Sequence, residues 1–177
     1  MSLWRSTLWT LVLLLLSGCV TTPEEKLRLA AAEGNFLRVE TFLGQGVTAQ
    51  AADVRGVTPL FLAARSGHRD VVALLLKQGA VVNSARQDGV TPLFIAAQEG
   101  HRDVVALLLE KGGVVNARAR IGGVTLLHVG AYRGDQAIVT LLLQHGADKN
   151  ARMSSGERPV DLAQRQGHPA LIPLLEP

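Results

Sequence analysis

An all-α solenoid of stacked helix pairs is the fold this sequence predicts, and three observations predict it. The stretch 54–86 recurs at 87–119 with 22 of 33 aligned positions identical, and a period of that length marks an array of supersecondary units. Each copy carries two short helical patterns, and glycines punctuate them at fixed offsets. Aromatic residues make up only 4% of the chain, so Leu, Val and Ala must form whatever core it has.

Within a unit the elements follow in order. Gly56 and Gly89 stand where a tight turn needs positive φ; Thr58-Pro59 and Thr91-Pro92 then place a hydroxyl at N-cap and a proline at N1. A short first helix follows, with Leu60, Ala63 and Ala64 toward its packing side, and Gly67 or Gly100 ends it. The second helix runs from about Arg69 to Lys77, with Val72, Leu75 and Leu76 on one stripe and Gly79 as its C-terminal cap. Asn83 and Asn116 open the polar segment that leads to the next Gly-x-Thr. One such unit cannot cover its own apolar face, so neighbours must stack before a core exists.

The unit resembles the ankyrin repeat, whose signature of Gly, Thr-Pro-Leu, Ala-Ala, Gly-His, a Val/Leu helix, Gly-Ala and Asn stands here almost unbroken. The resemblance implies helix-turn-helix units joined by β-turn fingers, four to five of them with degenerate caps. Residues 24–53 form an N-terminal capping repeat without the Thr-Pro-Leu opening; 54–86, 87–119 and 120–152 are the inner units, and 153–177 the C-terminal cap. The fourth unit departs from the pattern: its preceding finger, Arg118 to Gly123, holds one extra residue, Leu126 replaces the N1 proline, and Gly130 replaces a helix alanine at an expected cost of about 1 kcal/mol.

Ahead of the array, Arg5, an apolar run from about Leu8 to Leu16 and then small residues follow secretory-signal order. The run is much shorter than the roughly 20 residues a membrane-crossing helix needs. Leu16-Ser17-Gly18-Cys19 resembles a bacterial lipobox, which implies removal of residues 1–18 as a lipoprotein signal peptide, lipidation of Cys19 and a lipidated tether over residues 19–23. Two or three acyl chains make such an anchor durable where one does not. Val20 in place of aspartate implies the outer membrane of a Gram-negative envelope, on its periplasmic side. Cys19 is the only cysteine, which excludes an internal disulfide and any multi-cysteine metal site. The other reading is a leftover thiol behind an ordinary signal peptide.

The formal charge of +3 falls to +2 once Arg5 is removed with the leader, which speaks against nucleic acid as partner. Of five histidines, His68, His101 and His168 share one repeat position and His128 takes the histidine place of the family signature, so periodicity explains four of them. No nucleophile motif, phosphate loop or recurring acid pair is present. The chain is read as non-enzymatic, with no metal and no cofactor.

In the resembled family, ligands meet the finger tips and the exposed side of the first helix, which together form a concave face. By repeat position this expected protein-binding surface comprises Arg55, Phe61 and Arg65, then Arg86, Gln87, Phe94 and Gln98, then Arg118, Arg120, Ile121, His128, Tyr132 and Arg133. Arginine beside aromatic rings is interface composition and suits an acidic protein partner, bound by a monomer. Phe61 and Phe94 would equally fill the groove between repeats. The alternative functions in the same class are an inhibitor or immunity protein occluding a toxin or enzyme, and an accessory factor for a periplasmic enzyme.

Overall fold

The computed structural model describes residues 22–176, so the leader expected at 1–18 and the lipidation expected at Cys19 lie outside the described residues. Within them the chain forms five consecutive helical units. Helices α1 (Pro23–Ala32) and α2 (Phe36–Gly44) make the first, α3 (Pro59–Ser66) and α4 (Arg69–Lys77) the second, and α5 (Pro92–Glu99) and α6 (Arg102–Glu110) the third. Then come α7 (Leu126–Arg133) with α8 (Gln136–Gln144), and α9 (Pro159–Gln166) followed by a 3-10 turn, Pro169–Leu171, and the single-turn α10 (Ile172–Leu175). First helices pack against first helices (α1, α3, α5, α7, α9) and second against second. No strand forms among the described residues, so the all-α repeat solenoid expected from the period is what the chain builds.

Local chemistry accounts for the boundaries. Thr58 and Thr91 adopt extended backbone and accept from the amides of Phe61 and Phe94 at 3.1 and 3.2 Å, satisfying a donor that the first turn leaves free. At the far end Gly67 turns left-handed, φ 76°, and its amide and that of His68 close the last turn onto Ala64 and Ala63. One apolar cluster then runs unbroken from Leu27 to Leu175, with Leu60, Leu93 and Leu127 from first helices meeting Leu75, Leu108 and Leu142 from second helices.

Three details differ from expectation. Thr22 and Pro23, expected within a tether, begin the first helix: the Thr22 hydroxyl accepts from the Glu25 amide at 3.2 Å and Pro23 sits at N1. A Thr-Pro helix start is therefore present three residues earlier than the 33-residue register would place it, with Glu24 where the inner units carry leucine, so the full Thr-Pro-Leu opening is still lacking. Gly130 is also more than a helix-weakening substitution. A Cβ there would stand 2.9 Å from the stiff Val139 side chain, so the missing methyl is what lets α7 and α8 approach. Finally, the fourth unit replaces its lost proline with a side-chain clasp: the Thr125 amide donates to His128 Nδ1 at 3.3 Å and the Thr125 hydroxyl to the same nitrogen at 2.8 Å.

Fingers are tied to one another by backbone bonds. The Gln87 amide donates to Arg55 O at 3.0 Å, that of Arg120 to Asp88 O at 2.9 Å and that of Ser154 to Gly122 O at 2.8 Å. The extended finger accommodates its extra residue with two successive left-handed glycines, Gly122 and Gly123, before Arg118 and Thr125 close an antiparallel bridge.

Candidate protein-binding face

The fingers and first helices share one face, and the side chains expected to form a binding surface divide there into three groups. Phe61, Phe94 and His128 are interior residues, 1%, 4% and 0% exposed. Their expected place on an accessible surface is corrected: this repeat position points into the stack, so a large ring there fills the space between units. In the fourth unit His128 fills it with polar atoms satisfied on both sides, Nε2–H donating to Glu157 O at 3.1 Å while Nδ1 accepts from Thr125.

A second group of long side chains reaches the surface but is spent on the array itself. Arg86 is half-buried, forks onto Asp88 with Nε 3.0 Å from Oδ1, and lies 5.3 Å from the Phe61 ring centroid. Its hydrogen bonds hold the Asp88 carboxyl below the usual carboxylate range. Arg118 donates to Arg152 O at 2.9 Å, Arg133 to Gln98 O at 2.6 Å, and the Gln87 side chain to Val54 O at 2.7 Å. Each of these bonds bridges consecutive units. Arg158 and Arg165 pair with Asp161 and Glu157.

What stays available is a smaller set: Arg55, Arg65, Gln98, Arg120, Ile121 and Tyr132, all exposed. Arg65 and Arg120 make no ion pair among the described residues, and Arg55 is only loosely paired, 3.5 Å from Asp53 with most of its side chain in solvent. Tyr132 and Ile121 are 56% and 79% exposed, large apolar surface that folding leaves uncovered. Tyr132 stands over a groove of about 420 Å³ between α5, α7 and α9. Gln98, Val129, Arg133, Leu162 and Arg165 line it from the helices, with Val124 and Met153 from the finger segments. Sequence reasoning missed the floor, Val124, Val129, Leu162 and Met153. Val129 and Leu162 occupy the repeat position of Leu62 and Ile95, so the pattern marks them only as helix-packing residues. A wider groove of about 930 Å³ on the second-helix side is lined by Arg69, Asp70, Lys77 and Asp103 among others.

The histidines that recur with the repeat have a structural task. His68, His101 and His168 donate from Nε2 to Ala32 O, Arg65 O and Tyr132 O at 3.0, 2.9 and 3.1 Å, each reaching the last turn of the preceding unit's first helix. Each ring lies on that unit's glycine: Gly34, Gly67 and Gly134. In the fourth unit Asp135 takes the histidine's place, caps α8 through Ile138 and pairs with Arg102 at 3.1 Å, and Arg133 supplies the missing bridge by crossing to Gly100 and the Gln98 carbonyl. No cluster of three metal-capable side chains forms among the described residues.

Burial lowers the pKa of His128 from its ordinary value of 6.5, with its bond to the Glu157 carbonyl opposing the shift. The folded state therefore binds fewer protons than the unfolded one at mildly acid pH. Stability from this group is fully present above about pH 6.5 and is lost as pH falls from there through the folded-state value. Replacing His128 with Phe, the residue of the two preceding units, should flatten that limb. Urea midpoints at pH 7.5 and 5.5, about one unit either side of the ordinary pKa, should differ less in His128→Phe than in wild type; an unchanged difference would show that other groups set it.

A family model for ankyrin repeats (3 copies) matches residues 27–119, and a single-repeat model matches residues 122–154. No curated protein matches the chain.

Proposed function

Because the chain belongs to the ankyrin repeat family, a family of protein-protein interaction modules, we propose that it is a non-enzymatic holder of one acidic protein partner, which it grips through the finger and first-helix face centred on Tyr132. The observation that carries this reading is the coincidence on one face of the Tyr132 groove, the exposed Ile121 finger tip and arginines not spent on the array, Arg65 and Arg120. An exposed aromatic over an apolar floor, rimmed by guanidinium groups, is the composition of an interface anchor. Carboxylates on the partner would meet Arg65 and Arg120 as forked pairs. In this reading lipid on Cys19 fastens the monomeric array to the periplasmic side of the outer membrane, and the support for that is the lipobox at Leu16-Ser17-Gly18-Cys19.

Two measurements test it. Photo-crosslinking from position 132 in living cells should yield one discrete partner, absent when the probe is moved to Lys77 on the second-helix side. Tyr132→Ala combined with Arg120→Glu should lower affinity for that partner by about 1,000-fold, since an anchor residue and a forked pair each contribute about 2 kcal/mol and every 1.4 kcal/mol is about tenfold. Equal crosslinking from both positions would reject the face. Separately, Cys19→Ser should abolish lipid labelling and membrane retention while leaving partner affinity unchanged.

A further inference from the structure

The first unit exposes three large apolar side chains within nine residues, Leu29, Phe36 and Leu37, at 50%, 39% and 73%. Each stands out against its counterparts in the same chain. Leu62, Ile95, Val129 and Leu162 occupy the repeat position of Leu29; Ile95 and Leu162 are 6% and 4% exposed and Leu62 and Val129 half-buried, against 50% for Leu29. Leu162 is buried although its unit is the last among the described residues, so this position faces the preceding unit, and among the described residues no unit precedes Leu29. Phe36 and Leu37 open α2, where α4 opens with Arg69-Asp70 and α6 with Arg102-Asp103. A terminal unit that meets water would carry polar residues at these positions, as the second and third units do with Arg-Asp, and α8 opens with Gln136-Ala137, smaller and less apolar than Phe36-Leu37.

We propose that this end of the array lies against the headgroup layer of a zwitterionic bilayer, with Leu29 and Leu37 inserted at the interface. The inference rests on the lipid-anchor reading of Cys19 and adds to it an orientation. The first helix starts at Pro23 and its cap is Thr22, so a lipidated Cys19 lies at most about 10 Å along the chain from the start of the fold. A polar headgroup layer is about 5–8 Å deep on each side of the hydrocarbon, so a tether this short keeps the first unit at the membrane surface whichever way the rest points. Exposed apolar side chains held there partition into the interface. The charges around them nearly balance: Glu24, Glu25, Glu33 and Glu40 stand among Lys26, Arg28 and Arg38, with Arg38 and Glu33 paired at 3.3 Å. That balance suits zwitterionic headgroups better than anionic ones. The array would stand off the membrane with its later units, and the Tyr132 face, free for a partner.

Fluorescence quenching reads this orientation. Both tryptophans, Trp4 and Trp9, lie in the leader, so a processed chain contains none and a single introduced tryptophan reports alone. The full chain is produced in cells with Leu37→Trp, Leu29→Trp or Val114→Trp, lipid on Cys19 is scored by fatty-acid labelling, and the purified protein is placed in vesicles of phosphatidylcholine carrying dibrominated acyl chains. The expected result is that tryptophan at 37 and at 29 loses most of its emission while tryptophan at 114, in the third unit, keeps its own. Lipidated protein whose Leu37→Trp emission is undiminished overturns the orientation and leaves the anchor standing. Quenching at all three positions overturns it as well, because the array would then lie lengthwise. Absence of lipid on Cys19 removes the anchor and this inference together.

Discussion

Gly67→Ala should destabilise the array by about 3 kcal/mol, the sum of a left-handed backbone forced on alanine and an inter-unit hydrogen bond broken. Gly67 has φ +76°, and a Cβ added there would stand 2.6 Å from Nδ1 of His101. The ring must move, and with it goes the bond from His101 Nε2 to Arg65 O at 2.9 Å. Gly79 separates the two costs. Its φ is nearly the same, +83°, but a Cβ there meets nothing within 4 Å, so Gly79→Ala should cost only about 1 kcal/mol of conformational strain. Urea denaturation followed by helical circular dichroism gives both numbers. Adding His101→Ala to Gly67→Ala tests the mechanism, because the double variant should lose less than the sum of the two single losses. Equal effects at Gly67 and Gly79 would mean that the histidine bridge contributes nothing.

Leu108→Ala should cost about 3–4 kcal/mol, as expected for truncating a fully buried leucine whose surroundings cannot collapse onto the gap. Leu108 lies in α6 with 0% exposure, in the third of five units, where neighbours on both sides hold it. Its position adds a second consequence. In a stack each unit is stabilised only by those beside it, so weakening the middle unit should also divide the array into halves that melt separately. The expected observation is an earlier and broader urea transition, with a lower apparent m-value than wild type. Leu37→Ala, on the exposed start of α2, is the control and should change the midpoint little.

Leu108 and the contact between Gly67 and His101 are encoded in different ways. That residue 108 is core follows from its repeat position alone, because the i, i+3, i+4 stripe repeats and its counterparts Leu75 and Leu142 obey it. The bounds of the second helix, Arg69 to Lys77, were legible for the same reason, since capping depends on residues within a turn of each other. The glycine and histidine contact was only half legible. Periodicity placed Gly67 and His101 each in its own unit, and nothing in the spacing said that one ring rests on the other unit's glycine.

The candidate site was the least legible part. Arg86, Arg118 and Arg133 occupy surface positions by register, yet Arg86 is held by Asp88 within its own finger and Arg118 and Arg133 by carbonyls of a neighbouring unit, and Phe61 and Phe94 point inward from positions expected to be partly open. A long side chain can reach water or the carbonyl of the next unit from the same Cα. Which it does depends on what that unit presents at the end of its reach. The substitution of Asp135 for histidine shows the dependence: the bridge is kept, but its donor moves to Arg133, two residues earlier.

The sequence by itself determined the helix pairs, their capping, their period and hence the stacked architecture, because these depend on interactions within a few residues and on an apolar stripe that one unit cannot bury alone. Only the tertiary structure decided which rings fill the stack, which arginines remain available, and that Tyr132 stands over a groove floored by Val129, Leu162 and Met153. Those outcomes depend on distances between atoms some 30 residues apart, set when neighbouring units pack, and no pattern within one unit encodes them.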